Sequence, residues 1–220
     1  IEIDSIVAGY RDLIEGAIGR PLTWEQDDIT LQNVQARVRA PSAWMLANIK
    51  NALLLATSNR SEASVGYATM DGDTSGSISP ISGIDKSFIR TWLLWLEAQG
   101  FKGLHLVNSL EPSAELRPLS EKQVDEEDLM PYPILNTIER LVFYDLLSPH
   151  DCLEEVIKRY GSVFAKEKLE EFVRRFFRLW ARNQWKRERY APGFHVDDYS
   201  LDPKSWLRFP ILSAGLEKDL

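Results

Sequence analysis

The chain has 220 residues, of which 44% are hydrophobic and 27% charged, a globular make-up that excludes a disordered or low-complexity segment. A net charge of −7, from 26 basic and 33 acidic residues, offers no global attraction to nucleic acid or to an anionic membrane surface. The single cysteine, Cys152, rules out an intrachain disulfide, a CxxC redox pair and a multi-cysteine zinc site, and no run approaches the roughly 18 apolar residues of a bilayer span.

The opening Ile1-Glu2-Ile3-Asp4 reads neither as a signal peptide nor as an initiator methionine, so we expect the chain to belong to a longer sequence. Residues 5–18 place Ile6, Tyr10, Leu13, Ile14 and Ala17 at helical spacing, and Gly19-Arg20-Pro21 stops them. Residues 30–50 predict a longer helix with Leu31, Val34, Val38, Met45 and Ile49 inward and Pro41 as a break or kink. Ala52-Leu53-Leu54-Leu55-Ala56-Thr57 is a short apolar run of the kind found in parallel sheets covered on both faces.

The exit of that predicted strand is where open α/β sheets gather ligands, because the helix that follows offers free N–H groups. Ser58 or Asn59 can cap a helix through Ser61-Glu62-Ala63, which puts a hydroxyl and a carboxylate at the mouth. A loop of glycines and small polar residues follows over 67–77. Asp85 opens a helix bearing Ile89, Trp92, Leu93 and Leu96, which Gly100 ends. Leu104-His105-Leu106-Val107 is a second expected strand, and 117–133 an exposed loop, acidic at Asp125-Glu126-Glu127-Asp128. Helices are predicted over Ile134–Leu147, Asp151–Tyr160 and from Phe164 to about Lys186, the last with Leu169, Phe172, Val173, Phe176 and Trp180 on one stripe. Strands alternating with helices indicate an α/β fold weighted to helix in its C-terminal half.

Several residues invite a functional reading beside an ordinary one. Glu62 suits a metal or phosphate site, and equally a first-turn acid that favours the helix dipole. Lys86 sits at a helix head, where a cation opposes the dipole, which hints at an anion in front of it; the ordinary alternative is a solvated lysine. Arg37 and Arg39 flank one valine and so point to different faces. Asp71-Gly72-Asp73 resembles half a calcium loop without the bidentate glutamate, and reads as a turn. The basic residues from Arg174 to Arg189 fit the charged outer face of an amphipathic helix better than a nucleic-acid surface. No Walker A sequence, GxGxxG, HExxH or Ser/His/Asp pattern is present.

Three stretches in register, Leu55-Ala56-Thr57-Ser58-Asn59-Arg60-Ser61-Glu62, Gly66-Tyr67-Ala68-Thr69-Met70-Asp71-Gly72-Asp73 and Pro80-Ile81-Ser82-Gly83-Ile84-Asp85-Lys86, resemble the NAD synthetase family. Asn33–Arg39, Pro112-Ser113-Ala114-Glu115-Leu116 and Asn183-Gln184-Trp185-Lys186-Arg187 follow in the order that family has, so the likeness covers about residues 25–215. The helical C-terminal region resembles the glutamine-dependent members.

The resemblance implies ATP-dependent amidation of deamido-NAD to NAD through an adenylated intermediate. Mg²⁺ assists, and ammonia comes from glutamine through a glutaminase domain. It implies ATP contacts at Thr57, Lys86 and Ser113, magnesium at Glu62, and deamido-NAD contacts at Arg37, Trp185 and Lys186, with Glu62 and Lys86 catalytic. Residues 1–130 would then be the C-terminal portion of a parallel-sheet, adenine nucleotide alpha hydrolase-like (PP-loop ATPase) domain and 131–220 its helical extension. The family's SGGxDS phosphate loop is absent from this chain and is expected upstream of it. Met70 and Ser77 stand where short members have a lysine and an aspartate, and Trp185 where they have a histidine. We expect a cytoplasmic, oligomeric enzyme that touches neither nucleic acid nor membrane, the isolated piece being inactive by itself. The alternatives are a non-catalytic binding or assembly module and another adenylating amidotransferase, such as a GMP or asparagine synthetase.

Overall fold

The computed structural model describes residues 2–118, 124–213 and 215–216. Helix α1 (Asp4–Ile18) forms where the spacing predicts and ends on Gly19 in the left-handed region, φ 71°. None of its residues is buried, and Ile6, Tyr10, Leu13 and Ile14 form an apolar face open to solvent. Helix α2 (Trp24–Arg37) starts on Thr23, whose hydroxyl accepts the Gln26 N–H, and α3 (Arg39–Lys50) follows after Val38. The break therefore falls at Val38 rather than at Pro41. The proline lies in the first turn of α3, where its missing N–H costs nothing. Leu31 and Val38 are buried as expected, but Met45 and Ile49 are 63% and 74% exposed, because Ala40 and Ala47 form the inner face of α3.

Neither expected strand forms as a strand. Around Leu55 the chain makes one parallel bridge to Ile78, with the Ser77 N–H donating to Leu54 O at 2.7 Å and the Ala56 N–H to Ile78 O at 2.9 Å. Ser79 in turn bridges Gly193, also in parallel. The pairing is parallel as predicted, but among the described residues it stops at single bridges. Leu53 and Leu55 are 70% and 53% exposed, so this apolar run has no neighbour on its outer side to extend the ladder.

Helix α4 (Arg60–Val65) and α5 (Lys86–Ala98) flank these bridges, and a 3₁₀ turn over Lys102–Leu104 leads into α6 (His105–Ser109). The second predicted strand is thus helical. His105 Nδ1 and Asn108 Nδ2 both meet the Glu97 carboxylate, at 2.8 and 2.6 Å, a grip that residues three apart reach from a helix but not from a strand. The acidic run forms a short helix, α7 (Asp125–Asp128), with Asp125 buried, which corrects the expectation of an exposed loop there; residues 119–123 of that predicted loop lie outside the described residues.

The core belongs to α8 (Tyr132–Phe143), α9 (Pro149–Tyr160) and α10 (Lys166–Arg182). Ile134, Leu135, Ile138 and Leu141 meet Cys152, Val156 and the α10 stripe of Leu169, Phe172, Val173, Phe176 and Trp180, all predicted from spacing. The long C-terminal helix is interrupted at Asn183, after which α11 (Gln184–Arg187) forms a single turn. Burial pushes the Cys152 thiol up to about 12, so it behaves as a small apolar side chain of this core. No described helix is long and apolar enough to cross a membrane.

Candidate functional site

The six-residue α4 is too short to persist on its own propensity and is held by polar contacts at both ends. At its start the Asn59 side chain accepts the Glu62 N–H while Glu62 Oε2 accepts the Asn59 N–H, a reciprocal capping box. Arg60, 3% exposed, reaches Glu139 on α8 at 2.6 Å, Asp197 at 2.6 Å and Gly83 O at 3.0 Å, and lies over the Tyr199 ring. Burial pushes the Glu139 carboxyl up, and the Arg60 charge and the Tyr199 hydroxyl pull it back. At the other end Arg187 is 1% exposed, stacks on Trp180 and donates to the terminal carbonyls of Ala63 and Ser64.

This scaffold aims Glu62 at Lys86. The Ser61 hydroxyl donates to Asn136 Oδ1 at 2.6 Å and accepts the Lys86 N–H at 2.9 Å, while Asn136 Nδ2 donates to Asp85, the N-cap of α5. The α4 and α5 starts are thereby fixed side by side on α8, and Lys86 Nζ donates to Glu62 Oε1 at 2.9 Å. The anion that the lysine at the helix head called for is, in this arrangement, Glu62.

Both face a cleft of about 550 Å³ whose walls also include Thr57, Ser113 and Lys186. Thr57 and Ser113 are exposed to it. Lys186 Nζ donates to the carbonyls of Gly66 and Ala68, each at 2.8 Å. Burial pulls its pKa down and the nearby Asp73 charge raises it. Two predicted site residues lie elsewhere. Arg37 is not in the cleft wall; its Nε donates to Met70 O at 3.0 Å and so holds the 67–77 turn. Trp185 is 40% exposed beside Lys186 and is also outside the cleft. Met70, 2% exposed, is an internal packing residue.

The cleft also contains residues to which the resemblance gave no role. Arg39 reaches it from the start of α3, and Asp73 from the turn that was read as an ordinary one. Tyr67, Asp125 and Asp128 also line the cleft. Tyr67 donates to Asp128 at 2.8 Å and Tyr132 to Asp125 at 3.0 Å, while the Asp125 N–H bonds Pro112 O and so draws α7 to the turn that carries Ser113. Acidic residues three apart on one helical turn were the available signal for Asp125 and Asp128; nothing local marks Arg60 or Arg187 as buried.

Gly66 closes α4 at φ 66°, and a Cβ there would stand 2.3 Å from Asn183 Cβ. Gly66→Ala is expected to destabilise the fold by roughly 2 kcal/mol or more, from left-handed strain plus overpacking. Urea unfolding should register it, and an unchanged midpoint would show that Asn183 can yield.

Arg39, Lys86 and Lys186 share the cleft with the carboxylates of Glu62, Asp73, Asp125 and Asp128. The family model described as NAD synthase matches residues 1–189, and the chain belongs to the NAD synthase family. A glutamine-dependent NAD(+) synthetase of Rhodobacter capsulatus is 32% identical over 219 residues, covering 94% of this chain and 36% of that protein. One from Oryza sativa subsp. indica is 29% identical over 218 residues, covering 91% of this chain and 30% of its own length. The crystal structure of a glutamine-dependent NAD(+) synthetase from Cytophaga hutchinsonii superposes with a TM-score of 0.84 at 50% identity, over 99% of this chain and 34% of that one. The chain thus shares the fold of part of that synthetase and spans about a third of the length of the relatives it matches.

Proposed function

We propose that this chain supplies the nucleotide-binding part of a glutamine-dependent NAD(+) synthetase, in which ATP adenylates the nicotinate carboxylate of deamido-NAD, pyrophosphate leaves, and ammonia displaces AMP to give the amide. The observation that carries this reading is the Glu62–Lys86 pair, at 2.9 Å, in one cleft with Thr57, Ser113 and Lys186. A carboxylate is a poor electrophile until its oxygen is made a leaving group, and the charge that gathers on the triphosphate must be met by fixed cations. Lys86 supplies one at the helix head. In the ion pair it is held ready, and it turns from Glu62 to phosphate when ATP enters.

That exchange frees a Glu62 oxygen. The lining groups fit Mg²⁺: Arg39, Lys86 and Lys186 are outnumbered by Glu62, Asp73, Asp125 and Asp128, so a bare triphosphate would enter a cleft without surplus positive charge. Mg²⁺ supplies charge neutralisation of the phosphates, with Glu62 among the groups that hold it. Thr57 and Ser113 offer hydroxyls to the nucleotide. Lys186 faces the deamido-NAD end; Arg37, through Met70 O, and Trp185, beside Lys186, set the walls there.

In the same reading the single parallel bridges at Leu55, Ile78 and Gly193 are the margin of a PP-loop-type sheet. Residues 1–130 belong to that α/β unit and 131–220 form its helical extension. The open apolar faces of α1, α3 and α5 support association with a glutaminase domain and with further copies in a cytoplasmic oligomer.

Titration of the protein with a non-hydrolysable ATP analogue and Mg²⁺ tests the reading. Saturable binding is expected, and in the full-length synthetase deamido-NAD, rather than XMP or aspartate, should promote AMP release from ATP in the presence of ammonium. A folded protein that binds no analogue rejects the reading, and analogue binding with XMP- or aspartate-stimulated release moves it to another adenylating amidotransferase.

A further inference from the structure

We propose that Asp125 is a ligand for a divalent cation in the cleft that Glu62 also lines. The inference rests on the nucleotide-binding reading above and adds to it a residue that the family resemblance did not assign. Asp125 is 4% exposed and lines the cleft. One oxygen, Oδ2, accepts the Tyr132 hydroxyl at 3.0 Å, which fixes the plane of the carboxylate. The other, Oδ1, is buried without a hydrogen-bond partner among the described residues.

A buried carboxylate oxygen left bare costs about 1–3 kcal/mol or more, so a fold that keeps one in a binding cleft gains when a partner arrives there. Among the carboxylates of the lining, Asp125 differs in that its bare oxygen is buried. Glu62 accepts Lys86 Nζ at one oxygen and the Asn59 N–H at the other. Asp73 accepts the Thr69 N–H, and Asp128 the Tyr67 hydroxyl. Asp125 Oδ1 therefore stands open before any ligand binds, whereas Glu62 must first release Lys86.

The class of partner follows from charge and hardness. An excess of carboxylates over cations in the lining favours a cation over a further anion, and an oxygen donor in a polar wall suits a hard divalent ion. Mg²⁺ is held in such sites by one or two carboxylates together with phosphate oxygens and water. Asp125 and Glu62, two carboxylates lining one cleft, suit that pattern.

The test uses Mn²⁺ as a paramagnetic probe, followed by the loss of its free resonance signal, with and without a non-hydrolysable ATP analogue. Asp125→Asn, close in shape and still able to accept from Tyr132, is expected to weaken Mn²⁺ binding at least tenfold. Binding of the metal-free analogue in EDTA should not weaken, because the variant removes a negative charge from the lining. Unaltered Mn²⁺ affinity in the variant, or no Mn²⁺ binding by the parent in either arm, overturns the proposal. Weaker analogue binding with intact Mn²⁺ affinity also overturns it and makes Asp125 an acceptor for a ligand hydroxyl. If the parent takes up Mn²⁺ through Asp125 but never the analogue, the metal assignment stands and the nucleotide reading fails. Crystals of the parent grown with Mn²⁺ give a check that needs no variant: an anomalous peak is expected roughly 2.0–2.3 Å from Asp125 Oδ1. A peak on Glu62 alone contradicts it.

Discussion

Lys86→Ala in the full-length synthetase is expected to lower ATP-dependent amidation by about 10²–10³-fold, the usual loss when one fixed group facing developing charge is removed. The fold should tolerate it. The α5 start is secured by Asp85, whose side chain accepts the Phe88 N–H, and by the Ser61 hydroxyl, which meets the backbone of residue 86 rather than its ammonium. Glu62 keeps its Asn59 partner in the capping box and is part-exposed, so the lost ion pair costs about 1 kcal/mol or less. Steady-state kinetics with unfolding curves separate the two effects. A fall in kcat with a near-normal midpoint is the expected pattern, because Lys86 meets more charge in the transition state than in the ground state. Turnover within a few-fold of the parent would remove Lys86 from the chemistry.

Arg60→Ala should have the largest effect on stability, about 3–5 kcal/mol, because it strands a carboxylate in the interior. Glu139 is 0% exposed, and its Oε1 accepts from both Arg60 and Tyr199 while Oε2 has no partner. Without the guanidinium only the Tyr199 hydroxyl and burial act on it. Burial already holds the Glu139 carboxyl above its ordinary pKa, and the loss of Arg60 raises it further. A carboxyl whose pKa is higher folded than unfolded contributes stability below the unfolded value and loses it as pH rises through the folded one. The deficit of the variant should therefore be largest at neutral pH and shrink towards about pH 4, the ordinary carboxylate range. Urea melts at several pH values check this. Arg60→Lys should rescue little, since one ammonium cannot serve Glu139, Asp197 and Gly83 O together. A pH-independent deficit would mean that Glu139 is neutral in the parent as well.

What could be read from the residues was what local rules control. The α8–α10 core follows from apolar side chains at helical spacing, and the Asn59 and Asp85 caps follow from their short acceptor side chains. The likeness in sequence also brought Thr57, Glu62, Lys86, Ser113 and Lys186 to one cleft, where spacing alone had left Glu62 and Lys86 with ordinary alternatives. The errors lie where distant partners decide. Ala52–Thr57 has strand composition, but a parallel ladder needs neighbours that local sequence does not supply. Leu104–Val107 looked extended until Glu97, eight residues before His105, drew it into a helix. The hold of Arg37 on Met70 O, 33 positions away, is likewise a partner that local sequence does not show. Arg60 and Arg187 looked like ordinary charged positions, since only the assembled fold shows that they are enclosed.

The two guanidiniums at either end of α4 make that short helix a fixture of the α8–α10 bundle rather than a part that adjusts. Any closing of the cleft is thereby left to the rim that carries α7. Amide exchange should follow the same division: the Glu62 side slow, giving way only with the whole bundle, and the α7 rim faster and responsive to ligand.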